Sequence, residues 1–142
     1  MRLRYLWPIL WLIVIFFLST EPGKSTHEVS FALAEWLRTG FSLPYSADAI
    51  NRTIRKIAHI FVFATEGILV AYALPEKPVF PVIICSAIAL VDEGHKHFVP
   101  GRHCHPDEII LDIISAVIAI IIFNLIRKFQ NGRFSHSCTS GN

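Results

Sequence analysis

Ionisable side chains are concentrated in one stretch, Val91–Asp112, which reads VDEGHKHFVPGRHCHPDEIILD and lies between two strongly apolar runs. Its charged and imidazole residues are Asp92, Glu93, His95, Lys96, His97, Arg102, His103, His105, Asp107, Glu108 and Asp112. Because ionisable groups at or within a bilayer are energetically costly, a cluster in such surroundings predicts a functional site.

Three kinds of chemistry and one structural role fit this set of side chains. Carboxylates beside histidines suit general acid/base catalysis. Asp, Glu and His on facing helices can bind a divalent metal. Arginine and lysine beside histidine can bind the phosphate of a lipid or of a lipid-linked intermediate. The remaining interpretation is a structural ion network that fixes helix register without any ligand.

The composition predicts a small membrane protein. Of the 142 residues, 53% are hydrophobic and only 17% are charged, which is too apolar for a typical soluble domain. The length leaves room for one domain, so 1–142 is interpreted as a single membrane domain. A net charge of +2 and the absence of a basic stripe with interleaved aromatics argue against a nucleic-acid partner.

Four apolar runs predict transmembrane helices at about 5–20, 54–74, 79–97 and 107–127, followed by a polar tail over 128–142. The first run could be a signal peptide, but no clear small-x-small cleavage pattern follows it, which favours a retained helix. Pro106 can start the last helix, where its missing N–H costs nothing. The predicted fold is therefore all-α, an integral membrane four-helix transmembrane bundle.

The first outer loop contains a further helical pattern. Apolar residues recur at helical spacing within His27–Thr39, which predicts a short amphipathic helix on the membrane surface with Trp36 at headgroup level. An element packed over the bundle fits the same pattern. Arginine and lysine flank the outermost spans, at Arg2, Arg4, Arg127, Lys128 and Arg133. They predict that both termini are cytoplasmic and that the Val91–Asp112 stretch is at the outer face of the cell membrane.

Three predicted helices each carry a polar stripe that points toward this outer end. Arg55, His59 and Glu66 return to nearly the same angle at 3.6 residues per turn. Asp92 precedes Lys96 by four residues, a spacing that allows an ion pair on a helix. Glu108, Asp112 and Ser115 share a third face.

Convergence of these stripes selects the candidate site residues. The catalytic candidates are Glu93, His95 and Asp92, and the ligand-binding candidates are Arg55, Lys56, His59, Arg102, Glu108 and Asp112. We expect Arg55 to pair with a carboxylate of the Val91–Asp112 stretch. The H-C-H sequence at 103–105 lacks a strong zinc spacing, so no metal is assigned. No Walker loop, haem motif or nucleophile elbow occurs, and no cofactor is predicted.

Four motifs in this order resemble the VanZ-like membrane proteins, named after the teicoplanin-resistance protein VanZ. They are STEPG at 19–23, IRKIAH at 54–59, DEGHKHFVPGR at 92–102 and DEIILD at 107–112. The resemblance covers about Ser19 to Ile126. Lys96 stands where the family usually has glutamine, and Glu108 replaces the usual second aspartate. Family members often carry glutamate three residues after the histidine, whereas this chain has Val62 there and Glu66 one turn deeper.

The resemblance implies a cell-envelope membrane protein, and some members of the family are linked to glycopeptide resistance. It does not imply a particular catalysed reaction. Two functional hypotheses therefore stay open. The first is a non-enzymatic envelope protein that alters the access of, or the response to, lipophilic glycopeptides of the teicoplanin type through its outer-face polar site. The second is a membrane enzyme acting on a lipid or lipid-linked phosphate. In both, the expected partner is a membrane lipid or a lipid-linked envelope component.

Overall fold

The computed structural model describes residues 3–20, 23–75, 77, 79–100 and 106–137. A 3-10 turn at Leu3–Tyr5 leads into α1 (Leu6–Thr20), which is followed by α2 (Gly23–Gly40), α3 (Ala47–Ala73), α4 (Val79–Lys96) and α5 (Pro106–Ser137). No strand occurs in the described ranges, so the all-α prediction is confirmed.

Three helical stretches among the described residues are long and apolar enough to cross a membrane: Leu3–Thr20, Ala47–Ala73 and Pro106–Asn131. They correspond to three of the four predicted spans. Helix α4 does not qualify, because its 18 residues include the charged Asp92, Glu93 and Lys96. The apolar helices support a membrane-embedded, all-helical protein.

Helix α3 begins well before the span predicted at 54–74. Ser46 is its N-cap, in an extended conformation, and its side chain accepts a hydrogen bond from the backbone N–H of Ala49 at 3.3 Å. Asp48 lies in the first turn, where a negative charge is favourable near the positive end of the helix dipole. Helix α3 therefore also includes residues 47–53, which the prediction left before the span.

Helix α5 starts at Pro106, as the sequence predicts, but it continues to Ser137. The helix therefore extends ten residues past the predicted end of the span at 127, into the segment interpreted as a polar tail. Lys128 and Gln130 are good helix formers, so the helix can continue after its apolar part has ended. Loss of hydrophobicity at Arg127 thus marks the end of the apolar part rather than the end of the helix.

A close backbone contact joins α3 and α5 at Gly67. A Cβ atom added to Gly67 would lie 2.8 Å from the backbone oxygen of Ala116, so the two backbones meet where neither side chain is larger than a methyl group. A core of Val70, Ala71, Cys85, Ala116 and Ile120 surrounds this contact and includes helix α4 through Cys85. This crossing sets the distance between the polar faces of α3 and α5.

Helix α1 packs against the same assembly through a second core of Ile15, Phe63 and Ala89. The indole Nε1 of Trp11 donates a hydrogen bond to the backbone oxygen of Val62 at 3.0 Å. Only Ile15 and Ser19 of α1 are buried, and its other large apolar side chains are exposed or half-exposed. Such an all-apolar helix with little buried surface is what a lipid environment favours.

Helix α2 packs on α3 and also exposes apolar side chains. Ala34 is fully buried, whereas Val29, Leu33 and Trp36 are exposed. Glu35 and Arg38 form an exposed ion pair with a separation of 2.5 Å. The structure therefore places α2 beside the α3 helix with an apolar strip left uncovered.

Candidate functional site

The ammonium group of Lys96 is the centre of a buried ion cluster at the C-terminal end of α4. Its Nζ atom lies 2.6 Å from Glu93 Oε2, 3.3 Å from Asp92 Oδ2 and 3.3 Å from Glu108 Oε2. A lysine ammonium has three N–H donors, so three carboxylate oxygens match its capacity. Spacings of three and four residues on one helix bring Asp92 and Glu93 to Lys96, and Glu108 is contributed by α5.

This cluster is almost completely shielded from solvent. Glu93 has 0% of its surface exposed, Asp92 has 2% and Lys96 has 3%. Removing one partner of a buried ion pair leaves an uncompensated charge and typically destabilises a protein by about 3–5 kcal/mol. Lys96 therefore neutralises carboxylates that lie close together, and through Glu108 it connects the end of α4 with the start of α5.

A histidine–aspartate pair lies beside this cluster. His59 Nδ1 on α3 is 3.1 Å from Asp112 Oδ1 and 3.2 Å from Asp112 Oδ2 on α5. Asp112 is fully buried, and the ring of His59 stacks on Phe63 one turn further along α3. A fixed carboxylate at one ring nitrogen orients the imidazole and determines which nitrogen carries the proton.

Glu108 connects the pair with the lysine cluster. Its Oε2 atom lies 3.5 Å from His59 Nε2 and 3.3 Å from Lys96 Nζ. We call Asp92, Glu93, Lys96, His59, Glu108 and Asp112 together the ion cluster. The convergence of polar stripes from α3, α4 and α5 that the sequence predicts is therefore present in the structure.

The predicted ion pair of Arg55 with a carboxylate of Val91–Asp112 is not formed within 4.0 Å among the described residues. The neighbouring Lys56 makes such a pair instead, with its Nζ atom 3.5 Å from Asp107 Oδ2. Both partners of this pair are more than half exposed. A step of one residue turns a helix by about 100°, so Lys56 reaches Asp107 at the start of α5 while Arg55 does not. Both Arg55 and Lys56 line a neighbouring cavity.

That cavity has a volume of about 410 Å³ and opens beside the ion cluster. We call it the rim cavity, and it is lined by His27, Asp48, Asn51, Arg52, Arg55, Lys56, Asp107 and Glu108. Glu108 lines the rim cavity and is also part of the ion cluster, so the cavity is directly adjacent to the cluster. Three cations from α3 and three carboxylates from α3 and α5 thus meet around one space large enough for a lipid headgroup.

One other predicted site residue, His95, lies apart from the ion cluster, and another cannot be compared. His95 is half-buried, with its ring 6.1 Å from that of Phe16 in an edge-on contact, so it faces α1. Its Nε2 atom is buried and has no hydrogen-bond partner among the described residues. Arg102 lies outside the described residues, as do His103, Cys104 and His105.

Glu66 is a further buried carboxyl group deeper along α3, with 1% of its surface exposed. It shares the face of His59, as the helical spacing predicts, and lies next to the contact of Gly67 with Ala116. Within the described part of the chain, no group of three or more His, Cys, Asp or Glu side chains has an arrangement that could hold a metal ion.

The family comparison agrees with the motifs that form this site. The family model described as VanZ/LLP1 matches residues 5–127, which include both the ion cluster and the rim cavity. The chain belongs to the VanZ/LLP1 family. This confirms the resemblance based on the four sequence motifs. No curated protein and no solved structure gives a significant match.

Several residues of the VanZ-family site were not among the predicted site residues. The spacing of Lys96 to Asp92 indicated an ion pair, but Lys96 was not chosen as a site residue. Asp48, Asn51 and Arg52 line the rim cavity, but they lie before the predicted span and were not chosen either. A prediction that used Ser46 as the N-cap and Asp48 as a first-turn acid would have started α3 early enough to include Asp48, Asn51 and Arg52.

Proposed function

We propose that this VanZ-family protein is a multi-pass protein of the cell membrane that binds the phosphate-bearing headgroup of an envelope lipid or lipid-linked intermediate in its rim cavity. Occupation of that cavity changes how lipophilic glycopeptides of the teicoplanin type reach or affect the membrane. The observation that carries the proposal is the rim cavity itself. Three cations, Arg52, Arg55 and Lys56, line it together with Glu108 of the ion cluster.

The balance of charges supports a particular headgroup chemistry. Guanidinium and ammonium groups bind phosphate oxygens, and arginine can do so with two parallel hydrogen bonds. The carboxylates of Asp48, Asp107 and Glu108 line the same space, and ionised carboxylates only accept hydrogen bonds. A headgroup that combines a phosphate with hydroxyl or ammonium donors satisfies both sets, whereas a bare anion satisfies only the cations.

The proposed topology has four transmembrane helices, with α4 as the fourth beside the three apolar spans. Its charged residues are then at the membrane boundary, where they contact each other and α5 rather than lipid. Arg4, Arg127 and Lys128 flank the other end and favour the cytoplasm. Lys56 and Lys96 each pair with carboxylates, so they count less as outer-face cations.

Helix α2 completes this arrangement as an interfacial helix in the first outer loop. Val29, Leu33 and Trp36 are exposed although they are apolar, and they suit the boundary between headgroups and acyl chains. His27 of α2 lines the rim cavity, so the helix borders the site as well as the membrane surface.

Cysteine labelling tests this topology. A reagent that cannot cross membranes is expected to modify Cys104 and not Cys138 in intact cells, while Cys85 is buried and serves as an internal control. Labelling of Cys138 alone would place the site at the cytoplasmic face and refute the proposal.

A resistance assay tests the proposed function. Cells that express Arg55→Gln are expected to lose the change in teicoplanin susceptibility that wild type gives, at an equal amount of protein in the membrane fraction. Arg38→Gln is the matched control, because it removes the same charge from an exposed position outside the cavity. Full activity of Arg55→Gln, or equal loss in both variants, would contradict the proposal.

One observation favours the alternative of a membrane enzyme acting on a lipid or lipid-linked phosphate. His59 is oriented by Asp112, and its other ring nitrogen is 3.5 Å from Glu108, which lines the cavity. An imidazole held in this way can act as a general base toward a bound ligand. The predicted catalytic residues Asp92 and Glu93 would then act by holding Lys96 and Glu108 in place.

A comparison of binding with phenotype separates the two functions. His59→Gln keeps a hydrogen-bonding side chain but cannot transfer protons at neutral pH. If the protein is an enzyme, this variant retains lipid binding and loses the phenotype. If it acts by binding alone, His59→Gln keeps both, and only variants of the cavity cations lose them.

A further inference from the structure

A second cavity lies at the opposite end of the helices, far along α3 and α5 from the ion cluster. It has a volume of about 470 Å³ and is lined by Arg4, Tyr72, Pro75, Phe123, Ile126, Arg127 and Gln130. These residues come from the start of the first apolar span and from the ends of the other two. The cavity is therefore at the level where spans of this kind meet the headgroup region.

The two arginines give this cavity an uncompensated positive charge within the described residues. Its described lining contains no carboxylate, in contrast to the rim cavity. Arg127 forms no ion pair within 4.0 Å in the described part of the chain. The cavity therefore has charge complementarity to an anion.

Arg4 is held in place but retains unused hydrogen-bonding capacity. Its Nη2 atom donates a hydrogen bond to the Tyr5 hydroxyl at 2.9 Å, and its guanidinium lies 5.0 Å from the centre of the same ring. Its Nε atom is buried and has no hydrogen-bond partner among the described residues. A buried N–H without a partner is energetically costly, so an acceptor at this point would be stabilising.

The other lining residues suit the part of a lipid next to its phosphate. Tyr72 and Gln130 offer polar groups near the arginines, and Phe123 and Ile126 offer apolar surface along α5. A free anion would leave this apolar wall in contact with water, whereas the glycerol backbone and first acyl carbons of a lipid would cover it.

We propose that this cavity, defined by Arg4 and Arg127, binds the phosphodiester of an anionic phospholipid, with the guanidinium groups on the phosphate and the acyl chain along Phe123 and Ile126. This site is separate from the rim cavity, and the proposal does not depend on the proposed function. By the topology proposed above, the lipid would come from the inner leaflet.

Native mass spectrometry of the full chain in detergent tests the proposal with phosphatidylglycerol as the probe. The parent protein for this test carries Arg52→Gln and Arg55→Gln, so that the rim cavity has lost both of its arginines. Arg127→Gln and Arg4→Gln in this parent are each expected to reduce phosphatidylglycerol retention at least about tenfold, because each removes a charge-assisted contact to the phosphate. Lys128→Gln is the matched control, since it removes the same charge from the adjacent exposed position, which does not line the cavity. Its retention should remain within about twofold of the parent protein.

Equal losses in Arg127→Gln and Lys128→Gln would show general electrostatic attraction and overturn the proposal, as would unchanged retention in both arginine variants. Arg4→Gln lies on a different helix from Arg127, so it keeps the test valid if Arg127→Gln fails to fold. Folding is checked for every variant by helical circular dichroism and gel filtration.

Two further probes identify the source of the phosphate. Glycerol phosphate presents the headgroup without acyl chains, and its binding is expected to be much weaker than that of phosphatidylglycerol. Binding of glycerol phosphate with equal affinity and the same arginine dependence would overturn the lipid assignment. Phosphatidylcholine tests charge, because its ammonium group meets no carboxylate in the described lining, and it should be retained less than phosphatidylglycerol.

Discussion

The two ends of the helices hold cavities of similar size, about 410 Å³ and 470 Å³, that differ in how their charges are balanced. At the end with the ion cluster, Lys96 contacts three carboxylates, and the three cations of the rim cavity share its lining with three carboxylates. At the other end, Arg4 and Arg127 have no described carboxylate beside them in the lining. At the first end a ligand meets charges of both signs in the cavity lining, whereas at the second end the charged residues of the described lining are only positive.

This difference indicates two purposes for charged residues in one small membrane protein. Some fix the positions of helices, and others are available to a ligand. Lys96 is fully engaged by three carboxylates, so its main effect is on the position of α4 relative to α5. Arg127 forms no ion pair within the described residues, and we propose that it acts on what binds at its end of the helices. The two ends should therefore respond differently to loss of a single positive charge.

The largest expected effect is on stability at the ion cluster. Lys96→Met leaves the buried Asp92 and Glu93 and the partly buried Glu108 without their cation, which should lower the free energy of unfolding by about 3–5 kcal/mol. Arg127→Met removes a half-exposed charge and should cost less than about 1 kcal/mol. Denaturant unfolding in detergent, followed by circular dichroism, measures both.

The double variant Lys96→Met, Glu93→Gln supplies the control for this prediction. Neutralising Glu93 removes part of the stranded negative charge, so it should recover part of the lost stability. Equal costs for Lys96→Met and Arg127→Met would mean that the two ends do not differ in the way described.

A second prediction concerns the helix crossing on which both ends depend. Gly67→Ala places a methyl group within 2.8 Å of the Ala116 backbone oxygen, which should force α3 and α5 apart and cost about 1–3 kcal/mol. Gly94→Ala is the matched control, since nothing lies within 4 Å of its added Cβ atom. That change should be neutral or should stabilise α4 by up to about 1 kcal/mol. The same unfolding experiment applies, and a Gly67→Ala protein as stable as Gly94→Ala would show that this contact does not set the helix separation.

The spacing of residues in the sequence predicted much of the ion cluster. Helical periodicity places Asp92 next to Lys96, and it places Asp112 one turn after Glu108 on the same face. It could not predict which residue of α3 meets which residue of α5. His59 rather than Arg55 reaches the buried carboxylates, because that choice depends on how α3 is rotated about its axis at the Gly67 crossing.

The helix ends were predicted less well than the helices, for a physical reason. Hydropathy marks where a helix stops being apolar, whereas capping and propensity decide where it stops being helical. Helix α3 therefore starts directly after its N-cap Ser46, before the predicted span, and α5 continues past Arg127, where its apolar part ends. The cavity of Arg4 and Arg127 could not be predicted, because its residues are far apart in the sequence and its arginines also fit a purely topological role.

The smallest expected effect is on lipid preference at the rim cavity. Asp107→Asn removes one carboxylate that could accept from an ammonium headgroup, and Asp107 is more than half exposed. The ratio of phosphatidylethanolamine to phosphatidylglycerol retained there should fall by about two- to fivefold. Glu28→Gln, at an exposed position of α2 outside the cavity lining, should leave the ratio unchanged. An equal shift in both variants would mean that the carboxylates of the rim cavity do not select the headgroup.

The measurement that tests the central claim most directly is phosphatidylethanolamine retention by wild type, by the double variant Arg52→Gln, Arg55→Gln, and by Arg38→Gln, in native mass spectra of the full chain. The rim cavity is proposed to hold the phosphate through Arg52 and Arg55, so the double variant should retain at least about tenfold less lipid, and Arg38→Gln should match wild type. Equal retention by all three proteins would contradict the claim that this cavity binds a phosphate headgroup.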